Sequence, residues 1–239
     1  MSEHAVGSVR ELWRYPVKSM RGECMDCLDV AAAGVAGDRA YALRDAEGRL
    51  GSGKRTARFG RIDGLLELES RYAGEQLEIL LPDGDVIEGR RPDIDAVLSA
   101  RLGQAVTLVH AHGGEHLDDA PVHLLSTSGL AWLSAALPAS RIDARRFRPN
   151  LVIDTPGDRP AEPAWTGRTL RIGETLTLSV IGPTERCGMV ALGQGELPRD
   201  PAVLRAITQQ AGLCFGVYAR VAAPGRVCVD DAVVFVDED

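Results

Sequence analysis

Short apolar runs broken by polar residues and turns dominate this chain, and few segments carry the 3.6-residue period of a helix. The clearest pattern is Thr175–Ile181, Thr-Leu-Thr-Leu-Ser-Val-Ile, where apolar and polar side chains alternate. A strand sorts such residues onto opposite faces. Leu170–Ile172 precedes it across Gly173-Glu174. Leu77–Leu81 and Val86–Glu88 flank Pro82-Asp83-Gly84-Asp85, whose residues suit a hairpin turn. Val9–Tyr15, stopped by Pro16, reads as a strand, as do Ala40–Leu43, Val106–His110, Leu151–Ile153, Leu213–Val221 and Ala232–Val236.

Three stretches predict helices. Asp93–Leu102 follows Pro92, opens on an acidic cap and stops at Gly103. Ser126–Leu137 sets Leu130, Leu133 and Leu137 on one face and stops at Pro138. Pro201–Ala211 has Asp200 as its cap, proline at the first helical position and Gly212 past its end. Many strands and few helices predict a mainly β, barrel-centred fold. Asp154–Pro163 reads as a surface loop, and Gly113-Gly114 is the expected linker between His110 and Pro121.

A length of 239 residues permits one large or two small domains with a substantial core. Hydrophobic residues at 45% and charged residues at 26% fit a soluble globular chain. The net charge of −7 argues against nucleic acid as a partner, because a polyanion needs a basic face. No apolar run approaches membrane length and the N-terminus lacks a signal pattern, so no membrane partner and a cytoplasmic location are expected. Five cysteines without dense spacing do not suggest a disulfide framework. Only Lys18 and Lys54 interrupt the arginine-rich cation set, which leaves few candidates for Schiff-base chemistry.

Candidate chemistry concentrates at Arg186-Cys187. A thiol beside a fixed cation is biased toward thiolate, the form that attacks or binds metal. Upstream, Arg145-Arg146-Phe147-Arg148-Pro149-Asn150 runs into the strand Leu151–Ile153. Sulfur selects soft metals and guanidinium forks read phosphate, so the pairing suggests a soft-metal cofactor that carries phosphate. Cys24 and Cys27 form a C-x-x-C without a second pair; strand spacing turns them to opposite faces, and they read as structural. Cys214 and Cys228 read as core. His110, His112 and His116 are loosely grouped, but Gly113-Gly114 disfavours a helical metal site and they read as a polar loop.

The order of several motifs resembles a known family. Arg148-Pro149-Asn150-Leu151-Val152, Leu170-Arg171-Ile172-Gly173, Arg186-Cys187, Phe215–Val221 and Pro224-Gly225 follow the order of the MOSC domain shared with molybdenum cofactor sulfurases. Leu12–Glu23 and Gly37-Asp38-Arg39-Ala40-Tyr41 resemble its N-terminal β-barrel domain. The whole arrangement is similar to the mitochondrial amidoxime-reducing component and its bacterial relatives. The resemblance implies a domain division at 1–115 and 116–239. It implies molybdenum cofactor held by Cys187 as the metal's sulfur ligand and catalytic centre. It makes Lys18, Ser19, Arg39, Arg148, Asn150 and Arg186 ligands of the pterin and phosphate. Ser126 and Thr127 open a predicted helix whose N-terminus favours an anion, although plain capping fits equally. The implied activity is reduction of N-hydroxylated substrates by oxygen-atom transfer at molybdenum, supplied with electrons by a ferredoxin or flavodoxin and its reductase. A sulfur carrier holding a persulfide on Cys187, or a cofactor-handling module, is the alternative. Thr184 stands where the family often has a second cysteine, and Gly193-Gln194-Gly195 replaces a common acidic-proline step.

Overall fold

The computed structural model describes residues 3–111 and 115–236. His112 and the expected linker Gly113-Gly114 lie outside the described residues.

Seven strands close into a barrel. Around the ring run Leu151–Asp154, Val122–Ser126, Cys214–Ala223, Leu176–Glu185, Thr169–Ile172, Ala232–Val236 and Glu3–Arg14. Pairing of Glu3–Arg14 with Leu151–Asp154 shuts it. The expected mainly β fold is what forms, and closure removes the unpaired strand edges an open sheet would leave. Leu176, Leu178 and Val180 point inward, as their alternation requires. They meet Val9, Leu12, Leu124, Ile153, Leu170, Val217 and Val233 in the barrel core. Register shifts between Ala5 and Gly7, and between Val9 and Glu11, mark bulges that bend the first strand around the ring. Gly7 sits at such a bulge, where a Cβ would fall 1.8 Å from the Asp154 carbonyl oxygen.

All five residues of Val122–Ser126 are buried, because one face lines the barrel and the other is roofed by helices. The roof is α2 (Thr127–Ala136) and α3 (Pro201–Ala211), which bury Leu133, Val203 and Ile207 with Leu125, Phe147 and Phe215. The caps of α3 match the sequence expectation: the Asp200 carboxylate accepts from the Ala202 N–H, and Gly212 closes the helix at φ 57°. The helix α1 (Ile94–Leu102) differs in one detail. Asp93 pairs with Arg91 and makes no side-chain cap.

The intervening residues build a second core. A sheet ordered Val106–His110, Tyr41–Asp45, Leu50–Ser52, Phe59–Arg61 and a three-stranded sheet over 69–88 enclose Val17, Met20, Leu43, Leu65, Ile79 and Leu98. The first strand crosses the expected division at residue 115: it lies in the N-terminal part and pairs with strands from the C-terminal part.

One expectation is corrected here. Cys27 and Cys228 form a disulfide, so Cys228 is not a free core thiol. Their strands, Cys27–Ala31 and Gly225–Cys228, pair with these two residues directly opposite. Partners 201 residues apart leave no spacing pattern in the sequence. Cys24, Cys187 and Cys214 are free. Among the described residues, no helix is long and apolar enough to cross a membrane.

Candidate functional site

A cavity of about 340 Å³ opens where the barrel meets the N-terminal sheets. Cys187 lies on its wall at the end of the strand Leu176–Glu185, half-buried, just before the single turn Gly188–Ala191. Lys18, Ser19, Arg39, Arg148, Asn150 and Arg186 line the same cavity, so residues spread over most of the chain converge. Three of them adopt left-handed backbone angles: Ser19 at φ 65°, Arg39 at 49° and Arg148 at 56°. Such conformations cost roughly a kcal/mol each for residues with a side chain and gather where geometry serves a site.

The cations differ in what they have left to offer. Arg148 donates from Nη1 to the Met20 carbonyl oxygen at 2.5 Å and lies over the Tyr15 ring at 4.3 Å. Its Nη2 is buried without a partner. Burial, reinforced by the charge of Arg39, pushes Arg148 down to about 10. Arg39 pairs with Asp38; burial lowers the arginine's pKa, but the charges of Asp38 and Asp118 and the hydrogen bond to Asp38 together outweigh it and raise the pKa. Lys18 donates to the His116 carbonyl oxygen at 2.8 Å and to Asp118 at 2.5 Å. Burial lowers the Lys18 pKa against the pull of Asp118. Local desolvation raises the pKa of the half-exposed Asp118 carboxyl, but the charges of Lys18 and Arg39 outweigh it and bring it to about 2.

Three residues expected to bind cofactor are turned largely toward the protein. The Ser19 hydroxyl donates to the Gly51 carbonyl oxygen. Asn150 accepts from the His123 N–H through Oδ1 and donates from Nδ2 to the Trp13 carbonyl oxygen, stitching two barrel strands together. Arg186 donates from Nε to the Phe215 carbonyl oxygen at 2.7 Å and from Nη1 to that of Phe147 at 3.0 Å. Its Nη2 sits 2.5 Å from His123 Nε2. With one N–H of each guanidinium nitrogen committed inward, Arg186 clamps the wall beside Cys187 and keeps two of its five N–H groups for any other acceptor.

Ser126 and Thr127 do not line the cavity. The Ser126 hydroxyl accepts from the Gly129 N–H, which is plain N-capping. The Thr127 hydroxyl donates to Asp154 at 2.9 Å. The α2 N-terminus is thus satisfied by the protein's own groups. His116, expected in a polar loop, is 1% exposed, and its carbonyl holds Lys18.

The sequence reading missed His123, Asp118, Asp119, Lys54, Arg58, Phe59 and Tyr218, all on the cavity wall. A histidine inside the apolar run Val122-His123-Leu124-Leu125 was the available signal. Burial, and next the charge of Arg186, holds its pKa well below 6.5, so the ring is neutral. A carbonyl only accepts, so the Arg148 carbonyl oxygen fixes the proton on Nδ1 and leaves Nε2 to accept from Arg186. Lys18, Lys54 and Arg58 all approach the Phe59 ring, at 5.3, 5.1 and 5.2 Å. The wall carries seven cationic side chains against three acidic ones in a chain of net charge −7, so this cavity favours an anion.

Among the described residues, no group of three or more His, Cys, Asp or Glu side chains is placed to hold a metal ion. A metal bound at Cys187 therefore has to bring most of its own ligands. A metal chelated by a phosphate-bearing organic group meets that condition, and the unpartnered Arg148 Nη2 offers a donor to its anion.

Comparison with known proteins converges on one family. Residues 6–121 match the MOSC N-terminal beta barrel domain, and residues 109–234 match the MOSC domain. The chain is 27% identical over 247 residues to a molybdenum cofactor sulfurase of Oryza sativa subsp. japonica, covering 81% of this chain and 29% of the relative. It is 43% identical over 75 residues to that of Drosophila grimshawi, covering 30% of this chain and 9% of the relative. It thus spans less than a third of these relatives' length. The YUAD protein from Bacillus subtilis shares the fold at a TM-score of 0.56 and 16% identity, with 99% of this chain and 100% of that one covered.

Proposed function

The chain belongs to the MOSC domain family, and from that premise we propose that it binds molybdenum cofactor through Cys187 and reduces N-hydroxylated substrates. The observation that carries the reading is a half-buried thiol on the wall of a cationic cavity that holds an unpartnered buried guanidinium nitrogen. When bound, the cofactor would supply the two-electron oxygen-atom-transfer chemistry. Everything else falls to this chain's residues.

Cys187 offers the soft sulfur donor. Arg148 and Arg39 hold the anionic end, with Lys18 and its partner Asp118 beside them. Arg186, set by His123 and two carbonyl oxygens, fixes the wall from which Cys187 projects. Tyr218 stays protonated, because burial lifts its pKa to about 12, and it lines the cavity as a hydroxyl donor. The overall reaction cleaves the substrate N–O bond with two electrons and two protons and releases water. A ferredoxin or flavodoxin with its reductase delivers the electrons.

The curated relatives' name favours a second reading, in which Cys187 holds a persulfide and passes sulfur on. One experiment separates the two. Protein from a host that makes the cofactor is analysed for molybdenum by elemental analysis and for an extra sulfur on Cys187 by mass spectrometry. The first reading expects bound molybdenum that Cys187→Ser abolishes and Cys24→Ser leaves nearly unchanged, with the fold checked by circular dichroism. Molybdenum retained by Cys187→Ser refutes the site. A persulfide on metal-free wild type favours the carrier.

A further inference from the structure

A second cavity, of about 410 Å³, lies where the end of the first strand meets the strand Glu69–Ala73 and the turn at Gln194. Trp13, Tyr15, Arg21, Cys24, Gln194 and Leu197 line it. Two buried polar atoms on its lining residues have no hydrogen-bond partner: the Tyr15 hydroxyl oxygen and the Arg21 Nε. Tyr15 is 1% exposed. The fold uses the rest of each side chain. Arg21 Nη1 faces Glu69 at 3.2 Å and Nη2 donates to the Glu67 carbonyl oxygen at 3.2 Å. The Tyr15 ring stacks near Trp13, at 6.4 Å between centroids, and carries Arg39 and Arg148 at 5.0 and 4.3 Å. Tyr15 therefore borders the second cavity while supporting two cations of the first.

Leaving a buried donor without an acceptor is unfavourable, because its hydration is lost and nothing replaces it. Two such atoms on residues of one cavity wall mark a place where an acceptor belongs. Arg21 Nε can only donate, and the Tyr15 phenol is kept protonated by burial, so both suit an oxygen acceptor. The charged lining is Arg21, Arg71 and Arg145 against Glu23 and Glu69. Glu23 is paired with Arg14 and Glu69 with Arg21, while Arg71 is paired with Glu78 and Arg145 with Asp143 and Glu196, so the unpartnered Tyr15 hydroxyl and Arg21 Nε are the groups left to a ligand. Trp13 and Leu197 supply an apolar wall.

We propose that this second cavity is a binding site for a small carboxylate with a planar apolar body, anchored by the Tyr15 hydroxyl and Arg21 Nε. The site does not depend on the proposed cofactor and does not use Cys187.

Cys24 provides the readout, because it is a free thiol on this wall while Cys187 reports the first cavity. Benzoate is the probe and benzamide its neutral counterpart. N-Ethylmaleimide labelling of Cys24, Cys187 and Cys214 in the full chain is followed by peptide mass spectrometry. Mildly alkaline buffer is used, since burial raises the Cys24 pKa. Millimolar benzoate should slow labelling of Cys24 severalfold and leave Cys187 unchanged. Benzamide should need about tenfold more, as should benzoate with Tyr15→Phe or Arg21→Lys, the loss expected for one hydrogen bond. Tyr15→Phe keeps the ring beneath Arg39 and Arg148, and Arg21→Lys keeps the charge. Unchanged Cys24 labelling at tens of millimolar benzoate overturns the proposal and leaves the cavity to water. Equal protection in wild type and both variants overturns it too, because the orphaned groups then anchor nothing. Protection of Cys187 alone would place the carboxylate in the first cavity and also overturn it.

Discussion

Replacing Arg148 with methionine should stabilise the cofactor-free protein while destroying its affinity for an anion. Arg148 is partly buried, and desolvation together with the charge of Arg39 drives its pKa down from the usual arginine value to about 10. At about 1.4 kcal/mol per factor of ten, that drop costs the folded state roughly 3 kcal/mol. Methionine fills much of the same volume without charge. Its introduction forfeits the charged hydrogen bond to the Met20 carbonyl oxygen, about 1.5 kcal/mol, and the contact with the Tyr15 ring, about 0.5 kcal/mol. The balance favours the variant by about 1 kcal/mol, or a few degrees in Tm for a chain of this size. The assay is urea unfolding of metal-free wild type and Arg148→Met, with and without inorganic phosphate. Without phosphate the variant should have the higher midpoint. Added phosphate should raise the wild-type midpoint more than the variant's. A variant less stable by about 1 kcal/mol would refute the reasoning, since Arg148 would then serve the fold through Met20 and Tyr15.

Three further outcomes follow from the same geometry. Because the folded pKa of His123 lies well below 6.5, the unfolded chain alone takes up its proton as pH falls through about 6.5, so stability is lost on that acid side. His123→Leu should flatten urea-unfolding stability between about pH 7 and 5 by up to about 1.4 kcal/mol per pH unit, and an unchanged slope would show that the ring titrates freely in the fold. Cys27→Ser should lower stability by about 2–4 kcal/mol in the same assay, with a reductant producing the same shift in wild type, because it opens a link across 201 residues. Gly216→Ala should cost about 1–2 kcal/mol and weaken molybdenum retention, because Gly216 sits at φ 82° and a Cβ there falls 2.6 Å from His123 Nε2; unchanged stability and metal content would separate His123 from the site.

Local patterns in the sequence determined the elements. Alternation in Leu176–Val180 made a strand with one face in the barrel, and Asp200, Pro201 and Gly212 bounded α3 at its observed ends. The resemblance of Leu12–Glu23, Gly37–Tyr41, Arg148-Pro149-Asn150 and Arg186-Cys187 to the family marked Lys18, Arg39, Arg148 and Cys187 as cofactor ligands, and the fold sets all four on one cavity wall. Which atoms face that cavity was a matter for the tertiary structure. Arg186 and Arg148 are alike in sequence, yet one spends its guanidinium on two carbonyl oxygens and His123 while the other keeps a nitrogen unpartnered. Ser126 looks like an anion ligand until the Gly129 N–H occupies its oxygen. The Cys27–Cys228 bond and the crossing of the first strand into the barrel join residues about 140 to 230 positions apart. Residue type and local period fix which elements form and which chemistry is available. Hydrogen-bond partners are allotted only when distant strands close, because each donor is satisfied by whatever acceptor the folded topology brings within reach.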